Sequence, residues 1–301
     1  MNNYQITNIG WRGNDKHSYY PILELKDSEK KDIPLKDYVF NFRLSEEKFC
    51  TGYYEFYDNG NYYPCPLNNK VESKTEDQCN FCESKFGFKS TFFYGKNPNE
   101  SMRNFMKQDF LVYLTFFYPN IIKVGTTSAK RSGRRLIDQD ALLYFFIAKG
   151  DAYQVLALEK YISKNFDIIE RVSSRKKLKN IEFNNLSKKH HDLLISTYQS
   201  IYPKLKDKEK FKDMLYSPDN IAIVDFTKID LLYFPDRKVN LMKDELILNG
   251  KFLGLRGKYL LLENDEQIFA FERNYLVGRK VVEYVEDWRY KVDEPEQLSL
   301  L

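Results

Sequence analysis

The sequence predicts an α+β chain built from several units, and three observations carry that expectation. Residues 20–25 (YPILEL) and 38–44 (YVFNFRL) are β-rich runs bounded by charged, turn-prone segments. Residues 111–165 combine two β-rich runs around a short turn with helix-period patterns. From 221 to 282 the pattern returns to short strands, separated by Asn249-Gly250, Gly254, Gly257 and Asn264-Asp265.

The elements follow in order. Residues 1–49 form an N-terminal β region. A loop-rich, cysteine-bearing module spans 50–108, with a short helix within 89–109. A core occupies 109–182. Its first strand is 111–117, Tyr118-Pro119-Asn120 makes the turn, and its second strand is 121–125. The basic stretch 128–137 reads as a helix and 141–148 as a third strand. Gly150-Asp151 breaks the chain, and Asp151 is a suitable N-cap for a helix over 152–165. Residues 183–220 are a helical connector, in which Leu186, Leu193, Leu194, Tyr198 and Ile201 keep the helical period. Pro203 is expected to end that helix before a solvated stretch of alternating charge. Residues 221–301 read as a small C-terminal antiparallel barrel or sandwich, frayed over 294–301.

Composition bounds the class. The 301 residues suit two or three compact units. Hydrophobic residues make up 43% and charged residues 30%, which excludes a wholly disordered chain. The aromatic share of 16% supplies a core and spare rings for stacking. A net charge of +4 does not by itself call for a nucleic-acid partner. The apolar runs 110–117 and 141–148 are too short to span a bilayer, so no membrane partner is expected. The first residues have neither a basic start nor an apolar stretch, so no signal peptide is expected. The expectation is a cytoplasmic protein, whose cysteines are metal ligands or free thiols rather than disulfides.

All four cysteines lie close in sequence, at Cys50, Cys65, Cys79 and Cys82. Cys79-Asn-Phe-Cys82 has the spacing that lets two thiolates grip one ion from a tight turn. Cys50 and Cys65 complete a tetrahedral, structural Zn2+ site, which would replace a core this segment lacks. The alternative is four unrelated buried thiols.

Between 111 and 165 several residues have chemical uses. Tyr113 on the hairpin is suited to hydrogen-bond a water or a phosphate. Gly125 allows close backbone approach by a substrate. Arg131, Arg134 and Arg135 can clamp phosphate. Val155, Leu158, Glu159 and Ile162 share a helical stripe, so Glu159 falls on or beside the apolar face. A carboxylate there needs a cation or hydrogen bonds. It is either a ligand for a hard cation such as Mg2+ or a structural partner of an arginine. Tyr113 and Gly125 are expected on paired strands, with Arg135 and Glu159 on two helices facing one side of the sheet. The pair His190-His191 and the basic run 171–179 read as solvated surface, the latter with a use in tracking a nucleic-acid backbone.

These residues resemble a known family. Val112-Tyr113, Val124-Gly125, the arginine helix and the Glu159 helix resemble the GIY-YIG nuclease core, a three-stranded antiparallel sheet flanked by helices. The chain is more closely similar to a bacterial family catalogued as a domain of unknown function. In that family a segment like Cys50-Thr51-Gly52, Pro64-Cys65-Pro66 and Cys79-Asn-Phe-Cys82 precedes such a core. The same family's motifs stand here as Val112-Tyr113-Leu114, Lys123-Val124-Gly125-Thr126-Thr127 and Arg135-Leu-Ile-Asp-Gln139-Asp140-Ala141. The resemblance implies a catalytic role for Tyr113, Gly125, Arg135 (with Arg131 as competitor) and Glu159, the last as the ligand of a catalytic Mg2+ or Mn2+. Two departures stand out: Lys123, a catalytic candidate that can contact phosphate or, with a lowered pKa, serve as base, replaces the second motif tyrosine, and Asp140 stands where the family has glycine. The function implied is binding of DNA or RNA with metal-dependent phosphodiester cleavage. Its alternative is a zinc-stabilised binding or regulatory module that has lost the chemistry.

Overall fold

A computed structural model describes residues 4–14, 18–27, 29–54, 61–73, 76–86, 100–173, 186–229, 233, 235, 237–286 and 288–290. At the N-terminus, β1 (Gln5–Asn14) and β2 (Ser18–Lys26) pair antiparallel, and β3 (Lys30–Pro34) extends that ribbon. In β4 (Val39–Phe49), Phe40, Phe42 and Leu44 are buried and alternate with exposed Val39, Asn41 and Arg43, as a sheet with one face on a core requires.

Short pieces then frame the cysteines: β5 (Tyr53–Tyr54), β6 (Tyr62–Tyr63), β7 (Lys70–Val71) and α1 (Asn80–Phe86). Helix α2 (Glu100–Met106) leads into the hairpin β8 (Phe110–Phe117) and β9 (Ile121–Ser128). After it come α3 (Ser132–Asp138), β10 (Leu143–Gly150) and α4 (Ala152–Asn165). The expected N-cap holds: Asp151 accepts from the Gln154 backbone N–H at 2.9 Å, and the Gln154 side chain accepts from the Asp151 N–H at 3.0 Å.

Helix α5 (Lys188–Lys206) runs through Pro203 rather than ending before it. The proline and the carbonyl it leaves unpaired, on Gln199, lie on the exposed side, where water serves. Ile201 and Leu205 are buried and hold the last turn. The chain closes with β11 (Val224–Asp225), β12 (Val239–Met242), β13 (Ile247–Arg256), β14 (Tyr259–Asn264), β15 (Gln267–Glu272), α6 (Arg273–Leu276) and β16 (Arg279–Tyr284).

Two sheets organise the molecule. The smaller has the order β11-β10-β8-β9, so the hairpin and third strand expected from the sequence gain a fourth strand. The larger has the order β12-β15-β14-β13-β4-β16-β1-β2-β3, with β7 also on β4. Strands from both ends of the chain are therefore hydrogen-bonded neighbours, and the division at 49 and 221 read from the sequence cuts across one sheet. Within it β13, β14 and β15 form an antiparallel meander, whereas β12 joins β15 in parallel. Among the described residues no helix is long and apolar enough to cross a membrane.

The two faces of β8 decide which helix goes where. Val112, Leu114 and Phe116 pack with Val155, Leu158 and Ile162 of α4 and Leu194 and Tyr198 of α5. Tyr113 and Phe117 point the other way, into the core shared by Leu136 and Ile137 of α3 and by Trp11, Leu23 and Phe42 of the larger sheet. Each such side chain contributes about 1.5–3 kcal/mol on burial. Arg135 and Glu159 thus come from helices on opposite faces of the smaller sheet. That corrects the expectation of a shared side.

The α3–β10 turn is pinned to the larger sheet. Asp140 has φ +65°, is 3% exposed, and accepts from the fully buried Arg256 Nε at 2.8 Å. The left-handed backbone explains why a glycine suits this position. Here aspartate bears that conformational cost and gains a buried ion pair.

Candidate metal centre and hairpin site

The four cysteine sulfurs lie within 4.8 Å of one another. Thiolates at about 2.3 Å on a tetrahedral ion stand about 3.8 Å apart, and the Cys65 and Cys79 sulfurs are 3.9 Å apart. Cys79 immediately precedes α1 and Cys82 lies in its first turn, which brings that pair together. Cys50 is held from the other side, where Gln5 reaches its carbonyl at 3.4 Å. Backbone N–H groups of Gly52 and Cys79 point at the Cys50 sulfur at 3.4 and 3.3 Å. Burial pushes the Cys50 and Cys82 thiols up from their ordinary range. For Cys79 burial acts in the same direction, but hydrogen bonds from the Cys82 backbone, Asn69 and the neighbouring cysteines outweigh it and lower the thiol to about 7. Four adjacent thiols cannot all ionise unaided, and a divalent cation removes that obstacle. The donor set and spacing fit such an ion. Among the described residues the apolar side chains packed against the cysteines are Tyr53 and Val71.

On the hairpin, Tyr113 pairs directly with Gly125. The Tyr113 ring is fully buried, and its hydroxyl accepts from Lys123 Nζ at 2.9 Å and from Gln139 at 3.5 Å. A Cβ on Gly125 would meet the Tyr113 hydroxyl at 2.3 Å and Lys123 Nζ at 2.7 Å. What approaches this glycine is the chain's own tyrosine and lysine, which is the reason a side chain is excluded there. The fold therefore assembles Tyr113, Lys123 and Gly125.

Arg131 and Arg135 are exposed, Arg131 in a 3-10 turn (Ala129–Arg131) ahead of α3 rather than in the helix. The reason is that β9 runs on to Ser128. Between them Arg134 is half-buried, and its Nε has no partner among the described residues.

Glu159 sits on α4, on the far face, but its carboxylate reaches the edge strand β9, where Thr126 donates to it at 3.3 Å. It makes no ion pair among the described residues. Burial raises its carboxyl above the usual range. Lys123 opposes that shift, Glu170 adds to it, and Thr126 and Arg135 oppose it. The hairpin, arginine and glutamate groups thus meet electrostatically around the edge of β9 rather than on one face. Thr126 and Gln139 join the site without a signal of their own in the local sequence pattern. Thr126 stands opposite Val112, the face that α4 covers, and that pairing is the signal that finds it. Of the basic run 171–179, residues 174–179 lie outside the described residues, as does the tail 294–301.

No curated protein and no solved structure matches the chain. A family model matches it over residues 40–275.

Proposed function

The chain belongs to that family, described as a protein of unknown function (DUF2797), and for it we propose nucleic-acid binding with phosphodiester hydrolysis that depends on Mg2+ or Mn2+. The observation that carries this reading is the state of Glu159. A half-buried carboxylate at a strand edge, raised above its usual range and without an ion pair among the described residues, is set up for a cation from outside. The order of parts supports it: a hairpin with Tyr113 opposite Gly125, then the arginines, then Glu159, as in a GIY-YIG core.

Each residue has a distinct task in this reading. Exposed Arg131 and Arg135 bind phosphate. Thr126 orients the Glu159 carboxylate. Lys123 fixes the Tyr113 oxygen and adds positive charge beside it. A bound divalent cation supplies neutralisation of the charge that builds on the phosphate. Cys50, Cys65, Cys79 and Cys82 hold a structural zinc, and reduced thiols suit a cytoplasmic protein.

One observation favours a second reading. Tyr113 is fully buried beneath Lys123, which leaves its hydroxyl no open path to a substrate. On that ground the protein is a non-catalytic nucleic-acid-binding module that keeps the architecture. Incubation with labelled DNA and RNA panels in Mg2+ or Mn2+ decides, with Glu159→Ala beside the wild type. Cleavage lost in Glu159→Ala with binding kept supports hydrolysis. Tight binding without cleavage in any divalent metal leaves the second reading.

A further inference from the structure

A cleft of about 320 Å3 lies between the cysteine module and the end of α3, apart from the hairpin site. Its polar walls come from four parts of the chain: Asn8 on β1, Asp77 beside the cysteines, Asp138 at the end of α3, and Arg273 and Asn274 on α6. Arg273 is 8% exposed. Its terminal nitrogens serve the Ile9 carbonyl at 2.7 Å, the Gly257 carbonyl, and Asp138 at 3.4 Å. Its Nε is buried and has no partner among the described residues. The Asn8 and Asn274 amides make no hydrogen bond to another described residue. Among the described residues the Asp77 carboxylate makes no ion pair and no hydrogen bond to another side chain.

The charges select the ligand class. Asp77 and Asp138 repel an anion, and Arg273 repels a cation. A neutral molecule that offers both acceptors and N–H donors satisfies the two amides and the carboxylate together, beside the guanidinium. The volume lies at the lower end of small-molecule sites. Arg134 and Arg135 stand one turn of α3 before Asp138, and Arg134 is near enough for its charge to act on Arg273.

We propose that this cleft receives one unstacked nucleobase of a single strand whose phosphates lie on Arg131, Arg134 and Arg135. Asp77 selects a base with an exocyclic amino group, such as cytosine, over uracil or thymine. This rests on the nucleic-acid reading and adds a specificity to it.

The test measures fluorescence anisotropy of short labelled homopolymers of cytidine and of uridine at one salt concentration. The wild type should hold the cytidine strand about tenfold more tightly. Asp77→Asn, at an exposed position, replaces a pure acceptor with a mixed group and should collapse that ratio, and Asn274→Ala should lower it. Arg273 is left intact, because its removal would unpair two backbone carbonyls. Equal affinity of the wild type for the two strands, or a ratio untouched by Asp77→Asn, overturns the cleft proposal and leaves nucleic-acid binding standing. No binding to either strand at low salt overturns both.

Discussion

Lys123 Nζ donates a 2.9 Å hydrogen bond to the Tyr113 hydroxyl, and both atoms hang over the Cα of Gly125. The Tyr113 ring cannot yield, since it lies in the core between α3 and the larger sheet. Gly125→Ala should therefore destabilise the protein by about 1–3 kcal/mol, the usual cost of overpacking. Urea denaturation would show this as a lower midpoint with an unchanged slope. An unaltered midpoint would mean that the lysine and tyrosine swing aside without cost.

Purified protein should carry about one zinc per chain by elemental analysis. Chelation should unfold the cysteine module first, because among its described residues few apolar side chains pack around the cysteines. Acidification should release the ion, since protons compete for the thiolates. Zinc-free protein with an unchanged melting curve would count against a structural role.

Arg256→Met and Asp140→Gly each break one buried pair and should each cost about 3–5 kcal/mol. The second also relieves a left-handed aspartate, so it should fall at the lower end of that range. Combining them removes both charges and should recover most of the loss. A double variant as unstable as the sum of the singles would show that the two residues do not act as a pair.

Binding to nucleic acid should weaken steeply with salt. Arg131→Ala and Arg135→Ala should each lower the slope of log affinity against log salt by about 1. A slope that neither change alters would remove these arginines from the contact surface.

Burial raises the Glu159 carboxyl in the folded protein, so ionising it there costs stability. Its favourable contribution is complete below the ordinary glutamate range and is lost as pH rises through the raised folded value. Glu159→Gln should accordingly be more stable than the wild type at neutral pH in buffer free of Mg2+ and Mn2+, with the difference vanishing below about pH 4. Added Mg2+ or Mn2+ should stabilise the wild type alone. Denaturation midpoints at both pH values, with and without the ion, would show whether that pattern exists.

Local signals were legible in the sequence. Gly150-Asp151 and the 155/158/162 stripe gave α4 with its cap, and Tyr118-Pro119-Asn120 gave the hairpin. Cysteine clustering gave four neighbouring sulfurs. What escaped depends on partners distant in sequence. Nothing local tells Asn41 that it will lie beside Asn249, or Val239 that it will run parallel to Ile268. Period-two alternation separates Tyr113 from Val112, but which helix covers which face is a tertiary choice, and Arg135 and Glu159 were split by it. Pro203 misled because its exposed side and the burial of Leu205 outweigh its propensity.

The placement of β4 between β13 and β16 also sets an order of events during synthesis. On a nascent chain, Phe40, Phe42 and Leu44 leave the ribosome long before residues 247–284 exist. For most of its length β4 then has both backbone edges bare, and its apolar side chains await a core that only the last strands complete. Such a segment is a natural client for chaperones that shield extended apolar stretches, and premature termination upstream of β13 would leave it permanently unshielded.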